Sequence, residues 1–137
     1  MSAYTWTPVI AGHATAAITS LLIGGMMLYR TKGTPAHRLW GRIWVGMMLV
    51  IVLTSLFIYR DHYSWIHGLS FFTLIMLPYG VYMARKRNIK GHRMTMVSMY
   101  FGALVIAGIF TLSPNRLLGD AVWSWLGLGA RLAGNLA

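Results

Sequence analysis

The chain has 137 residues, 57% of them hydrophobic and 10% charged, with a mean hydropathy of +0.60 and a formal net charge of +10. A soluble domain carries about a quarter of its residues charged, so a water-covered globule is excluded and lipid is the expected solvent. The absence of cysteine excludes disulfides, thiolate metal sites and thiol redox chemistry. The twelve Lys and Arg gather between apolar runs, which suits a positive-inside bias and argues against nucleic acid as a partner.

Four apolar runs read as membrane spans, about Val9–Leu28, Leu39–Ile58, Ile66–Met83 and Met94–Leu112. Each is close to the roughly twenty residues that carry a helix across about 30 Å of hydrocarbon. The first run is read as a span and not as a cleaved leader, because no Lys or Arg precedes it and the flank after it is basic. The expected fold is an all-α integral membrane protein. One four-helix bundle spans the chain, and a short C-terminal segment (113–137) lies on the surface. In that tail Ser113-Pro114-Asn115 ends the fourth span, and the stretch Leu117 to Leu128 is too short and too broken to cross. An interfacial helix and a frayed tail both fit it.

Orientation follows from the loops. Arg30, Lys32, Arg38 and Arg42 share one side with Arg85, Lys86, Arg87, Lys90 and Arg93, while Arg60, Arg116 and Arg131 stand on the other. Short basic loops stay in the cytoplasm, which predicts a multi-pass protein of the bacterial inner membrane with both termini outside. Tyr4, Trp6, Tyr59, Tyr63 and Trp65 would form the outer aromatic belt, with Tyr29 and Trp40 near the inner one.

The spacing suggests a two-helix unit used twice. His13 and His67 are 54 positions apart, and His37 and His92 are 55 apart. The second pair sits in two related stretches, Lys32-Gly33-Thr34-Pro35-Ala36-His37-Arg38 and Lys90-Gly91-His92-Arg93, both read as turns. Two crossings per unit make the copies parallel, related by an axis along the membrane normal.

In an up-down-up-down bundle, spans one and three face each other diagonally, as do two and four. Diagonal axes at roughly 11–14 Å admit an iron between two inward-reaching imidazoles. His13 with His67 then makes an outer haem b site and His37 with His92 an inner one, giving one or two haems and a path for electrons. The small residues Ala16, Ala17, Ser20 and Gly24 on the His13 face leave room for a macrocycle or for close helix packing. At the inner pair, Arg38 and Arg93 beside the histidines suit haem propionates. Equally they suit a helix cap holding anionic lipid phosphate. An intramembrane polar residue is a functional candidate by default, yet a histidine hydrogen-bonded to a neighbouring helix is the plainer alternative. His62 reads as an exposed loop residue. The methionines, spread over the whole chain, read as flexible core packing rather than a soft-metal site. With no carboxylate inside any span, a carboxylate proton relay or di-iron site is argued against.

At Lys32 through Arg42, with His13, His67 and Gly91-His92-Arg93, the chain resembles a family of small bacterial predicted membrane proteins, domain of unknown function 2306. The resemblance covers most of residues 9–116, leaves the tail outside, and implies a membrane fold without an assigned activity. More remotely, four histidines on four helices resemble the dihaem b-type cytochromes. That likeness implies electron transfer between quinone or redox-protein partners, through His13, His67, His37 and His92. The rival expectation is a cofactor-free membrane protein that binds anionic lipid headgroups, or acts as an assembly subunit, through its His-Arg turns.

Overall fold

The computed structural model describes residues 7–58, 65–112 and 117–127, with the side chains of 65, 66, 117 and 118 outside the description. Its elements are α1 (Pro8–Tyr29), α2 (Pro35–Phe57), α3 (Trp65–Arg85), α4 (Ile89–Ser98), a π-helical segment (Met99–Val105), α5 (Ile106–Thr111) and α6 (Leu117–Trp125). Among the described residues four helices are long and apolar enough to cross a membrane: α1, α2, His67–Arg85 of α3, and the continuous run Ile89–Thr111. The outer-belt residues Tyr4, Trp6, Tyr59 and Tyr63, the arginines Arg60, Arg116 and Arg131, and His62 lie outside the described residues.

At the basic end α2 and α4 begin before the apolar runs, because their caps are polar and sit outside the hydrophobic stretch. Thr7 and Thr34 each precede a proline at the first helical position, and their hydroxyls accept from Ile10 N–H at 3.2 Å and His37 N–H at 3.1 Å. A threonine cap before proline satisfies an orphan donor and presets φ for the first turn. Asn88 does the same for α4, accepting from Gly91 N–H at 3.0 Å. Lys90-Gly91-His92-Arg93, expected to be a turn, is therefore the opening of α4.

The true turns match in another register. Gly33 (φ 83) precedes the Thr34 cap, and Arg87 (φ 60) precedes the Asn88 cap. These two left-handed residues are 54 positions apart, the same interval as His13 to His67. At the second turn Asn88 N–H reaches Met83 C=O at 2.9 Å and Arg87 N–H reaches Ala84 C=O at 3.1 Å. That is the paired bonding of a Schellman C-cap, with arginine at the position that favours glycine.

α1 packs on α2, α2 on α3, α3 on α4, and the ring closes where α1 meets the π-helical segment. α1 and α3 are thus diagonal, as are α2 and the fourth span. The centre is filled by Trp44, Met48, Leu77, Met99 and Leu104, with Tyr100 packed against them. Two aromatic donors clamp α1: the Trp44 indole N–H donates to Ser20 C=O and the Tyr100 hydroxyl to Leu21 C=O, both at 3.0 Å. The small face of α1 makes this approach possible. Ser20 is fully buried, and a Cβ added to Gly24 would stand 2.6 Å from the Tyr100 ring and 2.8 Å from Trp44 Nε1. Of the two expectations for that face, the structure therefore displays close packing.

Gly24→Ala should cost about 1–3 kcal/mol by overpacking, whereas Gly46→Ala, with nothing within 4 Å of the added methyl, should be neutral or mildly stabilising. Thermal unfolding in detergent, followed by circular dichroism, compares the two. Replacing the strained Arg87 with glycine should raise stability by about 0.5–1 kcal/mol, and an unchanged or lower unfolding midpoint would contradict that account of the turn.

Candidate functional site

Two polar layers mark the ends of the bundle. At the end away from the basic loops, His13 of α1 is half-buried, and its Nδ1 lies 2.8 Å from Thr54 Oγ1 of α2. The Thr54 hydroxyl has one hydrogen, directed to Val50 C=O at 2.7 Å with Ile51 C=O at 3.0 Å. With the hydrogen so placed the oxygen accepts from the ring, which then carries its proton on Nδ1 and keeps a lone pair on Nε2. The adjacent Ser55 hydroxyl lies 2.8 Å from that of Ser70 on α3. Ser70 stands one turn from His67, and both are buried. His13, Thr54, Ser55, Ser70 and His67 thus form a polar row that runs from α1 across α2 to α3.

At the basic end, His92 donates from Nδ1 to Gly80 C=O of α3 at 2.9 Å, which likewise leaves Nε2 as a lone-pair atom. His37 is the third residue of α2. Its ring Nδ1 is buried and has no hydrogen-bond partner among the described residues. The two rings, on diagonal helices, are near enough to interact electrostatically, and Lys32 acts on His37 in the same way. Arg38 and Arg93 follow their histidines and are exposed. Neither histidine is a cap: Thr34 and Asn88 hold that role, because their short side chains return to the third helical N–H where an imidazole does not. The caps are 54 apart and the histidines 55, so His92 stands one residue, about 100° of helix, further round than His37.

Each interhelical histidine bond joins the two helices of one hairpin, His13 to α2 and His92 to α3. That is the plain structural role. It is also the arrangement that fixes a ligating histidine, whose second nitrogen is held by a carbonyl or hydroxyl so that the other is presented as a base. Trp44, Met48, Leu77 and Met99 close the middle of the bundle, so the polar atoms of the histidines are confined to its ends. The interior near His92 is padded by methionines: Met96 Cε and Met83 Sδ are the near neighbours of Gly80 and Gly91. Their unbranched chains adapt to an inserted group more readily than branched ones do. Met94, in contrast, is 64% exposed while Met99 is fully buried, so these methionines do not converge on one point.

The sequence reading missed the partners of the histidines. Thr54-Ser55 was detectable as a polar pair closing an apolar run, at the same distance from the membrane edge as His13. The Gly80 carbonyl, the Trp44 and Tyr100 clamp and the π-helical segment have no comparable signal.

The fold and its two histidine layers define a four-helix membrane protein with polar sites at both ends of a closed core. A family model described as predicted membrane protein (DUF2306) matches residues 10–136, and the chain belongs to that family. The match takes in the tail, which the resemblance read from the motifs had left outside. No curated protein and no solved structure matches.

If the His13 bond is an interhelical tie, Thr54→Val should lower stability by about 0.6–1.7 kcal/mol, the range for hydrogen bonds between membrane helices. His13→Ala in the Thr54→Val background should then add less than it does alone. Additive losses in that double-mutant cycle would show that the two side chains are not coupled.

Proposed function

We propose that this protein is a transmembrane electron carrier that holds haem b between diagonal helices, with His37 and His92 as axial ligands at the basic end and His13 and His67 at the other. One observation carries the reading. Each diagonal helix pair carries two histidines at one end of the bundle, α1 and α3 at the end away from the basic loops and α2 and the fourth span at the basic end, and the bond from His92 Nδ1 to Gly80 C=O leaves its Nε2 as the basic nitrogen. The buried, unpartnered Nδ1 of His37 adds to it, because a buried polar atom without a partner costs about 1–3 kcal/mol. When bound, such a group accepts and releases single electrons. The protein supplies the rest: Thr54 and Gly80 orient the rings, the packed aromatic and methionine core excludes water between the ends, and Arg38 and Arg93 are placed to offset propionate charge. The basic end faces the cytoplasm in this reading, in a bacterial inner membrane, with quinone or a redox protein as donor and acceptor. The rival reading, a cofactor-free protein holding anionic headgroups with His37–Arg38 and His92–Arg93, draws on the exposure of both arginines.

Protein expressed with haem supply should give a sharp alpha band in the dithionite-reduced minus oxidised spectrum, with stoichiometry from the pyridine haemochrome. Two haems per chain are expected, falling to one in His92→Ala and, independently, in His13→Ala. A well-folded protein with no band ends the cytochrome reading and leaves lipid binding in its place.

A further inference from the structure

Between α2 and α3 lies an open groove of about 460 Å³, walled by Val45 and Leu49 on one side and by Leu74, Pro78, Val81 and Arg85 on the other. The walls run in matching register. On α3, Leu74, Pro78, Val81 and Arg85 follow at intervals of four, three and four. On α2, Arg38, Arg42, Val45 and Leu49 follow the same intervals, so both arginines stand on the face that Val45 and Leu49 present to the groove. The helices are antiparallel, so the apolar stretches coincide and the arginines coincide at one mouth. Lys86 adds a fourth cation there, its ammonium 4.8 Å from the centroid of the Tyr82 ring, itself part of the α3 wall. No carboxylate occurs in residues 30–42 or 85–93 to balance this charge.

Length and charge choose the occupant. From Leu74 to Arg85 the helix rises about 16 Å, roughly one leaflet of a hydrocarbon core about 30 Å thick. Over that length the groove is a narrow furrow between two helices, open along one side. A single hydrocarbon chain lies along it, and the cations at its mouth favour a chain that carries an anionic headgroup.

We infer that this groove is a lipid site, holding one acyl chain of an anionic phospholipid from the surrounding bilayer with its phosphate between Arg42 and Arg85. Lys86 draws the headgroup to the mouth, and Val45, Leu49, Leu74 and Val81 line the chain. The site contains no histidine and does not depend on the haem reading.

The test uses the full chain in nanodiscs of equal phosphatidylglycerol and phosphatidylcholine, released into detergent, with retained lipid counted by native mass spectrometry. One phosphatidylglycerol per chain should be held in preference to phosphatidylcholine. Arg85→Gln should weaken retention about fivefold. Val81→Trp, which blocks the groove and keeps every charge, should remove it. Leu49→Phe is a milder block from the opposite wall, and Val50→Trp, on an exposed position, is the folded control that should retain lipid. Equal retention of the two lipids, retention unaffected by both blocking variants, or a quinone held in place of phospholipid would each overturn the assignment.

Discussion

The bundle turns on two neighbouring carbonyls of α1. Ser20 and Leu21 each give a second lone pair to an aromatic donor from a different helix, Trp44 of α2 and Tyr100 of the π-helical segment. Lipid offers helices no hydrophobic reason to associate, so packing and hydrogen bonds between them must hold the bundle. Here both act at one point, since the missing side chain at Gly24 admits the two rings whose polar tips bond the backbone beside it. The π-helical turn belongs to the same arrangement. An extra residue in the fourth span changes which side chains face inward, and Met99, Ala103 and Leu104 are buried while Tyr100 reaches α1.

Closing the centre in this way divides the molecule's polar chemistry between its ends. The repeated hairpin supplies the same parts at each copy, a left-handed residue, a polar cap and a helix start, at an interval of 54. The histidines do not follow that interval at the basic end. His37 comes three residues after its cap and its buried Nδ1 has no partner among the described residues, while His92 comes four after its cap and is tied to Gly80. Two rings in nearly equivalent sequence surroundings are thus held differently.

The membrane class, the four helices and the polarity of charge were legible in the sequence because they depend on composition summed over twenty residues. The histidines were legible as residues out of place in an apolar run. Their bonding was not. The Thr54 contact spans 41 positions and the Tyr100 contact 79, and neither follows from local periodicity. The second turn was placed two or more residues late because Lys90-Gly91 imitates Lys32-Gly33. The structure puts the left-handed residue at Arg87, where the side chain gives no such hint. The small face of α1 left open both a macrocycle and close helix packing, and the aromatic side chains that occupy it come from elsewhere in the chain.

Nine cations gathered at one end of the bundle, with no acid near them in sequence, make the molecule a fixed electric gradient along its own axis. The field needs no bound group to exist, and the low-dielectric core between the two polar layers screens it poorly. Negative charge, a phosphate or a small anion, is held more firmly at the basic end than at the opposite one. Turning the bundle over would drag those nine charges through hydrocarbon, so the direction of the gradient is set once, at insertion, and kept.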